Sequence, residues 1–483
     1  MSLMRTLRSA SIGYSLCLLA SQQVFADSEI TVSGISQELL NQLSIITDGS
    51  TVDLEQSIQH QLESKGYFLA TVHLTSDSAI QVDLGHIAEV RIQGVSEKSG
   101  QAIANVIQPL IDRHANQIAE FDHAQEVIND LPGLKVSFAF EPMPDSAGFL
   151  LSVLGEEIKQ QGHLTIDNIP RELGDKTRTS LSQDFYSVFR GGDALRFDIA
   201  SVNGKNPDST NLDLSYQIPI SSSGSYLELE YSDFEERNGA SYSGKSFGAL
   251  LGIPLKRSHS TADYVLVDLN HNNDSSSPSS IDDDIVTSGE VIFLQHLHDA
   301  DGNSSTSSVS LVSGHSKLEN DFTLLRGEFG TVLQLREISE TTELKVEVNA
   351  QLGGSSTPRS HLFSLGGSDY LRGYASSEFA GESGIKALFE IGQLHVGPNE
   401  NINQITPFAF FDVGYVSNHN LSTREQRFKN QRPKNDSLAS IGIGARMSAY
   451  GFYLDASIGV PLLEGQSDKT PSPAAYLRIT KAW

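Results

Sequence analysis

The chain has 483 residues, with 34 Lys and Arg against 60 Asp and Glu, which gives a formal net charge of −26. This balance argues against a binder of duplex DNA or of anionic lipid headgroups, because both need a basic surface that displaces counterions. We therefore expect no nucleic-acid partner. The length allows two to four domains.

The first 26 residues have the parts of a secretory signal peptide. Arg5 and Arg8 supply positive charge, residues 10–20 are apolar but too short to span a bilayer as a helix, and a small-x-small cleavage pattern closes the segment. We predict that residues 1–26 are removed; the alternative is a buried amphipathic helix. Because the single cysteine, Cys17, lies in this segment, the mature chain offers no disulfide and no cysteine-based metal site.

Strand and helix patterns alternate through the front of the chain. A short strand precedes two helices, and the second helix repeats Leu54, Ile58 and Leu62 on one face before further strands follow. The same order of elements then recurs. We predict two small α+β domains of the order β-α-α-β-β, at residues 27–86 and 87–157. Neither contains charged residues in a catalytic arrangement, and small domains of this kind usually bind other molecules.

From about residue 162 the helical period gives way to alternating polar and apolar residues. Residues 211–220 and 344–352 alternate without a break, and polar segments rich in turn residues, such as 270–280, separate such runs. Strands of about ten residues in this pattern are typical of a transmembrane antiparallel β-barrel, although a soluble β-sandwich or propeller alternates equally well. At ~20 residues per strand and turn, residues 163–483 would form about sixteen strands.

Two features favour the membrane over a soluble fold. The chain begins with a signal peptide, and its last strand ends on an aromatic residue, Trp483, with Leu477 and Ile479 on one face. This strand resembles the closing strand of bacterial outer-membrane barrels, although Lys481 interrupts its apolar face and would have to reach the interface. We therefore expect the protein in the outer membrane of a Gram-negative cell, in contact with outer-membrane lipid.

Motifs that suggest chemistry have simpler explanations. Gly244–Gly248 matches G-x-S-x-G but is followed by a strand instead of the helix that a hydrolase elbow needs. His296 and His298 could share one face of a strand, but no third metal ligand is apparent. Residues 299–303 resemble part of a calcium loop in which the glycine comes too early, so a hairpin turn is expected. We expect no catalytic residue, no metal and no cofactor.

One loop carries the most specific pattern in the chain. Residues 363–374 read FSLGGSDYLRGY, and Leu365–Tyr374 resembles the loop motif ending V-R-G-[YF] of two-partner secretion transporters of the haemolysin secretion/activation type (TpsB), with Leu371 in place of the usual valine. Residues 407–416 resemble the partner motif of that family. Shorter matching segments are Lys65–Tyr67, Leu131–Leu134, Leu164–Asn168 and Gly192–Phe197. The resemblance implies that the two front domains are polypeptide-transport-associated (POTRA) domains.

The resemblance also implies that this loop folds back into the barrel lumen, where Arg372 touches an acidic residue on a strand, here Asp412. The alternation of the strand agrees, because Asp412 faces away from Phe411 and Val413. A guanidinium suits a two-pronged contact with a carboxylate. The alternative is an exposed hairpin with a solvated arginine.

Three glycines and a tyrosine complete the predicted site. Gly366, Gly367 and Gly373 let the loop bend sharply and press its backbone against the wall. Tyr374 can wedge the loop while it hydrogen-bonds. Many relatives carry a plug helix ahead of the first POTRA domain. Because the first strand begins within a few residues of the predicted cleavage site, we expect the loop itself to close most of the pore.

By resemblance, the protein exports a large secreted exoprotein, which the POTRA domains would capture unfolded, most plausibly as a strand added to an open sheet edge. A closed barrel with an internal loop suggests a monomer. One alternative is a factor that inserts other barrels into the membrane, which usually carries more POTRA domains. Another is a passive porin, which would need neither the front domains nor the arginine loop.

Overall fold

The computed structural model describes residues 31–43, 51–76, 79–144, 148–169, 176–203, 208–238, 240–277, 283–399, 402–418, 435–465 and 472–483. The predicted signal peptide, residues 1–26, lies outside the described residues. By contacts between residues the chain divides into two compact units. One comprises Met1–Arg91, Leu110–Phe121 and Phe140–Ser152, and the other comprises Ile92–Pro109, Asp122–Ala139 and Val153–Trp483.

The front of the chain runs β-α-α-β-β twice. The first repeat contains β1 (Thr31–Ser33), α1 (Gln37–Asn41), α2 (Thr51–Ser64), β2 (Thr71–Ser76) and β3 (Ala79–Asp83). The second contains β4 (Ile87–Gln93), α3 (Glu97–Asp112), α4 (Ile118–Asn129), β5 (Leu134–Pro142) and β6 (Phe149–Glu157). Each repeat forms a three-stranded sheet, in the orders β1-β3-β2 and β4-β6-β5, so the last strand of each repeat lies in the middle. The element order is the predicted one, and the domain boundaries remain predictions.

The apolar stripe of α2 shows why the first repeat folds. Leu54, Ile58 and Leu62 recur once per turn, and all three are at most 4 % exposed. They pack with residues of the sheet such as Ile80. Gly66 ends the helix at a φ of +89°, a backbone conformation that glycine adopts without strain.

The remainder of the chain is a closed antiparallel barrel. Its strands in chain order are β7 (Gln160–Ile169), β8 (Lys176–Tyr186), β9 (Ala194–Asn203), β10 (Asp208–Pro219), β11 (Tyr226–Asn238), β12 (Ala240–Ser258), β13 (Thr261–Ser277), β14 (Asp284–His298), β15 (Ser304–Ser316), β16 (Asn320–Gln334), β17 (Thr342–Leu352), β20 (Ser383–Gln393), β21 (His395–Asn399), β22 (Ile402–Ser417), β23 (Asn435–Ala449), β24 (Phe452–Pro461) and β25 (Ala474–Ala482). A small hairpin, β18 (Phe363–Leu365) with β19 (Phe379–Gly381), lies between β17 and β20.

The barrel closes where β25 pairs with β7, with Ile479 opposite Ile166. Both β20 and β21 pair with β22 and follow one another along the same edge, so the strands of the described chain occupy 16 positions. The prediction of a barrel of about sixteen strands is confirmed, and the soluble β-sandwich and propeller are excluded.

Alternation along each strand separates an apolar outer face from a polar inner one. On β22, Phe411 and Val413 are 40 % and 37 % exposed, whereas Asp412 between them is fully buried. Leu477 and Ile479 are likewise exposed on β25. In the described part of the chain, no helix is both long and apolar enough to cross a membrane.

Candidate functional site

The segment between β17 and β20 positions the candidate site. Arg359–His361 forms one 3-10 turn, after which β18 and β19 pair as a short hairpin. We call residues 363–374 the arginine loop. Its apolar residues form a core with the barrel wall, and the members of this core are Phe363, Leu365, Leu371, Tyr374, Phe379, Val416 and Leu438. The loop is therefore packed inside the barrel and not displayed as a solvated hairpin.

Arg372 holds Asp412 with a two-pronged contact. Its Nε lies 3.1 Å from Asp412 Oδ2 and its Nη2 lies 3.0 Å from Oδ1. The backbone N–H of Arg372 donates to the same Oδ2 at 3.0 Å. Arg372 is 5 % exposed and Asp412 is fully buried. Three donors of one residue thus satisfy the carboxylate, which is the geometry that makes a buried charge tolerable.

A second carboxylate, Glu390 of β20, completes the surroundings of the guanidinium. Arg372 Nη1 donates to Glu390 Oε2 at 3.0 Å, and Arg446 Nη1 of β23 donates to Glu390 Oε1 at 2.5 Å. Arg446 also contacts Asp455 of β24 at 3.1 Å. The network therefore alternates in charge across several strands, and each buried carboxylate has an arginine partner.

Two phenylalanines cover this network on the inner face of β22. The guanidinium carbon of Arg372 lies 3.4 Å from the ring centroid of Phe410, and that of Arg446 lies 4.2 Å from the ring centroid of Phe408. A guanidinium stacked on an aromatic face gains a cation–π attraction that is larger where water is excluded. The rings fix the planes of both arginines.

The three glycines of the loop all have backbone conformations that favour glycine. Gly366, Gly367 and Gly373 have φ values of +101°, +128° and +109°. The Gly373 N–H donates to the Tyr476 hydroxyl at 2.6 Å. A side chain on Gly459 of the wall would meet the Arg372 carbonyl oxygen at 2.5 Å. Backbone therefore lies directly against backbone where the loop touches β24.

Leu371 has the one strained conformation within the loop's described non-glycine residues. Its φ is +60°, although the side chain is fully buried. A branched side chain in the left-handed region costs about 1–2 kcal/mol. The buried contacts of the loop offset this cost.

Two tyrosines fasten the loop on either side of Arg372. The Tyr374 hydroxyl lies 2.8 Å from the carbonyl oxygens of both Ala439 and Leu463, and it accepts the Leu463 N–H at 3.1 Å. The Tyr370 hydroxyl donates to Glu347 at 2.7 Å. The loop is thus tied to several strands and not to Asp412 alone.

The structure thus brings together all six residues predicted for the site: Arg372, Gly373, Tyr374, Gly366, Gly367 and Asp412. Sequence reasoning missed Glu390 and Arg446. Each is a charged residue on the inward face of an alternating strand, and that pattern could have indicated their inward direction but not their contacts in the site.

The other motifs lie in barrel strands and turns. Gly244–Gly248 is part of β12, so it has no strand-turn-helix context. His296 lies near Thr306 of the neighbouring strand, with its Nδ1 at 2.9 Å from the hydroxyl. Asp299 accepts the N–H groups of Asp301 and Asn303, as a hairpin turn requires. No group of metal-ligating side chains is present among the described residues.

Comparisons with known proteins agree with this architecture. The sequence model of the haemolysin secretion/activation proteins ShlB/FhaC/HecB matches residues 156–447. CdiB from Escherichia coli is similar in structure, with a TM-score of 0.75 at 14 % identity over 98 % of this chain and 93 % of that one. CdiB from Acinetobacter baumannii gives 0.69 at 15 % identity, over 90 % and 82 % of the two chains.

A third solved structure is also similar. BamA from Haemophilus ducreyi lacking POTRA domains 1–3 gives a TM-score of 0.56 at 14 % identity, over 95 % of this chain and all of that one. No curated protein sequence matches the chain. At these identities the structural likeness concerns the fold alone.

Proposed function

This chain belongs to the haemolysin secretion/activation family, and we propose that it exports one large partner exoprotein by a route that the Arg372–Asp412 ion pair opens and closes. The protein is an outer-membrane barrel and a translocator of two-partner secretion. The two-pronged contact between a loop arginine and a wall aspartate carries the proposal about control.

The energetics explain why one ion pair could hold the loop. Breaking a buried pair by removing one partner costs about 3–5 kcal/mol, because the other charge stays buried without compensation. Arg372 and Asp412 are both buried. When the loop leaves the wall, water reaches Arg372 and Asp412, and this lowers the free-energy cost of separating them. An entering polypeptide therefore has to supply only part of the 3–5 kcal/mol, about the cost of breaking a buried pair.

We propose that the front domains capture the exoprotein. In the order β4-β6-β5, strand β5 is an edge, and no other described strand pairs with its outer side. This strand has nine residues, which is long for an open edge. An unfolded segment can add to such an edge through main-chain hydrogen bonds. The exporter then acts as a monomer, because one chain supplies both the capture surface and the barrel.

The test compares the proteins of the medium and of the outer membrane in four strains. They carry the intact protein, no protein, Arg372→Ala, or Arg336→Ala at the same barrel abundance. Arg336 is an exposed arginine of a barrel turn, half of whose side chain is accessible, and it pairs with Asp301. Loss of one or a few large secreted proteins without the transporter, with other barrels unchanged, identifies the exoprotein.

The arginine variants then test the control step. Impaired export with Arg372→Ala but not with Arg336→Ala supports a function of the ion pair. Equal export by both variants refutes it. A joint fall of many outer-membrane barrels would instead identify an assembly factor, the alternative that the sequence leaves open. Unchanged secretion in the strain without the protein would indicate a porin.

A further inference from the structure

A groove with a volume of about 870 Å³ lies between helix α3 and two turns of the barrel. The turns join β8 to β9 and β10 to β11, on the side of the barrel where β6 leads into β7. The chain passes from β6 into the barrel at this end. The groove is lined by Gln101, Asn105, Phe189, Arg190 and Ile220, with further residues of α3.

The β8–β9 turn is built around a fully buried aspartate. Asp193 accepts the backbone N–H groups of Val188, Phe189 and Arg190 at 2.6, 3.0 and 3.0 Å. It also accepts the hydroxyl of Tyr216 at 2.6 Å. A carboxylate with four donors fixes the turn in one conformation.

This rigid turn displays an aromatic side chain. Phe189 is 69 % exposed, and its ring meets that of Tyr216 at nearly a right angle, with 5.4 Å between the centroids. Ile220 of the neighbouring turn is 52 % exposed. Exposed large apolar residues that line a groove together mark a surface for apolar side chains of a partner.

Helix α3, on the opposite side of the groove, offers hydrogen-bonding groups that can bind the main chain of a partner whatever its side chains are. Gln101 and Asn105 are exposed one helical turn apart, and Gln101 Nε2 donates to Asn105 Oδ1 at 3.1 Å. This contact leaves the Gln101 carbonyl oxygen and the Asn105 amino group, one acceptor and one donor, for a main chain. Lys98 and Arg190 face a single acid, Glu97, which makes the groove mildly basic on an acidic protein.

We propose that this groove binds an extended, unfolded segment of the exported polypeptide, with an apolar side chain on Phe189 and Ile220. The inference rests on the proposed export function. The groove has the size of a pocket for a small ligand, about 300–1,000 Å³, and is too small for the surface of a folded partner. A second copy is disfavoured because two chains of net charge −26 repel each other. An unfolded chain brings apolar side chains, acidic side chains and unpaired main-chain groups, which the groove complements.

The test places a photo-crosslinking phenylalanine analogue at residue 189 of the full-length transporter in secreting cells. A matched chain carries it at Phe247, which is 58 % exposed on the outer face of β12. The probe is the exoprotein identified by its loss from the medium in the strain without the transporter. We expect crosslinks to it from position 189 and not from position 247. Phe189→Ala should slow export about fivefold or more, and Phe189→Tyr should restore it.

The outcomes separate the two proposals. If an exoprotein is identified and exported but position 189 crosslinks only to lipid, Phe189 belongs to the membrane interface and the groove proposal is wrong. If no exoprotein is lost from the medium, the export function itself fails. If Phe189→Ala lowers barrel abundance, the crosslinking result alone decides, because the analogue preserves the aromatic ring.

Discussion

Glu390 joins Arg372 of the loop to Arg446 of the wall, with one carboxylate oxygen 3.0 Å from the first guanidinium and the other 2.5 Å from the second. It is 4 % exposed. The arginine loop is therefore held by a shared carboxylate as well as by Asp412. A change at Glu390 alters the neutralisation of two cations at once, the buried Arg372 and the half-buried Arg446.

We therefore expect Glu390→Gln to loosen the loop although Arg372 and Asp412 remain. The amide keeps the size of the side chain but loses the charge that lies between the two arginines, and Asp412 and Asp455 then neutralise only one arginine each. Loss of hydrogen bonds to charged groups should cost about 1.5–3 kcal/mol in the docked state. The frequency of spontaneous openings in planar bilayers should rise at least about tenfold. Glu343→Gln, at an exposed position of β17, is the control, and equal opening frequencies of the two variants would contradict the prediction.

Arg372→Lys tests whether charge alone holds the loop. Lysine keeps the cation, but its single ammonium cannot contact both oxygens of Asp412 and also Glu390. We expect a docked state weakened by about 1.5–3 kcal/mol, against about 3–5 kcal/mol for Arg372→Ala. The measurement is the rate at which a thiol introduced by Ser368→Cys reacts with a membrane-impermeant maleimide. We expect the fastest reaction with alanine at position 372, a slower one with lysine and the slowest with the native arginine. Identical rates for Lys and Arg would show that the fork geometry is unimportant.

The fold was predictable because the alternation of polar and apolar residues that marks a barrel strand can be read from each short segment of sequence. The alternation in residues 344–352 predicts a strand without any knowledge of its neighbours, and the structure places β17 there. The helices of the front domains were equally accessible from the spacing of Leu54, Ile58 and Leu62. Both patterns arise because one face of each helix or strand is apolar where it meets the core or the lipid.

The site was only partly predictable. Arg372 and Asp412 could be predicted because both lie in sequence motifs, the arginine loop and residues 407–416. The other partners of Arg372 depend on which strands surround the folded-in loop. Glu390 precedes Asp412 by more than twenty residues and reaches the same guanidinium only because β20 pairs with β22, with Leu388 opposite Asp412. Arg446 requires the register of a further strand, which no local pattern specifies.

Gly366 and Gly367 are neighbours that should respond differently to alanine. Both have positive φ values, so each alanine is strained. A Cβ on Gly366 would also meet the Ala375 carbonyl oxygen at 2.2 Å, whereas the nearest atom to a Cβ on Gly367 is 3.9 Å away. We expect Gly366→Ala to undock the loop and Gly367→Ala to cost about 1–2 kcal/mol. Maleimide reactivity at Ser368→Cys distinguishes them, and equal reactivity would show that the contact with Ala375 is relieved elsewhere.

Glu157, outside the barrel strands, should make the start of α3 sensitive to acid. Burial raises the pKa of this carboxyl, but hydrogen bonds from Lys159, Ser99 and Ser96 outweigh it and hold the pKa at about 2, below the ordinary 4.5. A lowered pKa in the folded state means that the ionised form stabilises the fold. This contribution is complete above pH 4.5 and is lost as the pH falls from 4.5 through 2.

Hydrogen exchange at the first turn of α3 in the intact protein measures this contribution, after correction for the intrinsic rate at each pH. We expect protection to fall as the pH is lowered from 4.5 towards 2. Glu157→Gln should lower it already at pH 7, by about 2 kcal/mol, and remove most of the pH dependence. The neighbouring Glu156 is exposed, so Glu156→Gln is the matched control and should behave like the unchanged chain. If Glu157→Gln retains both the protection and its acid sensitivity, another group is responsible, and the charge on Glu157 does not hold the helix start.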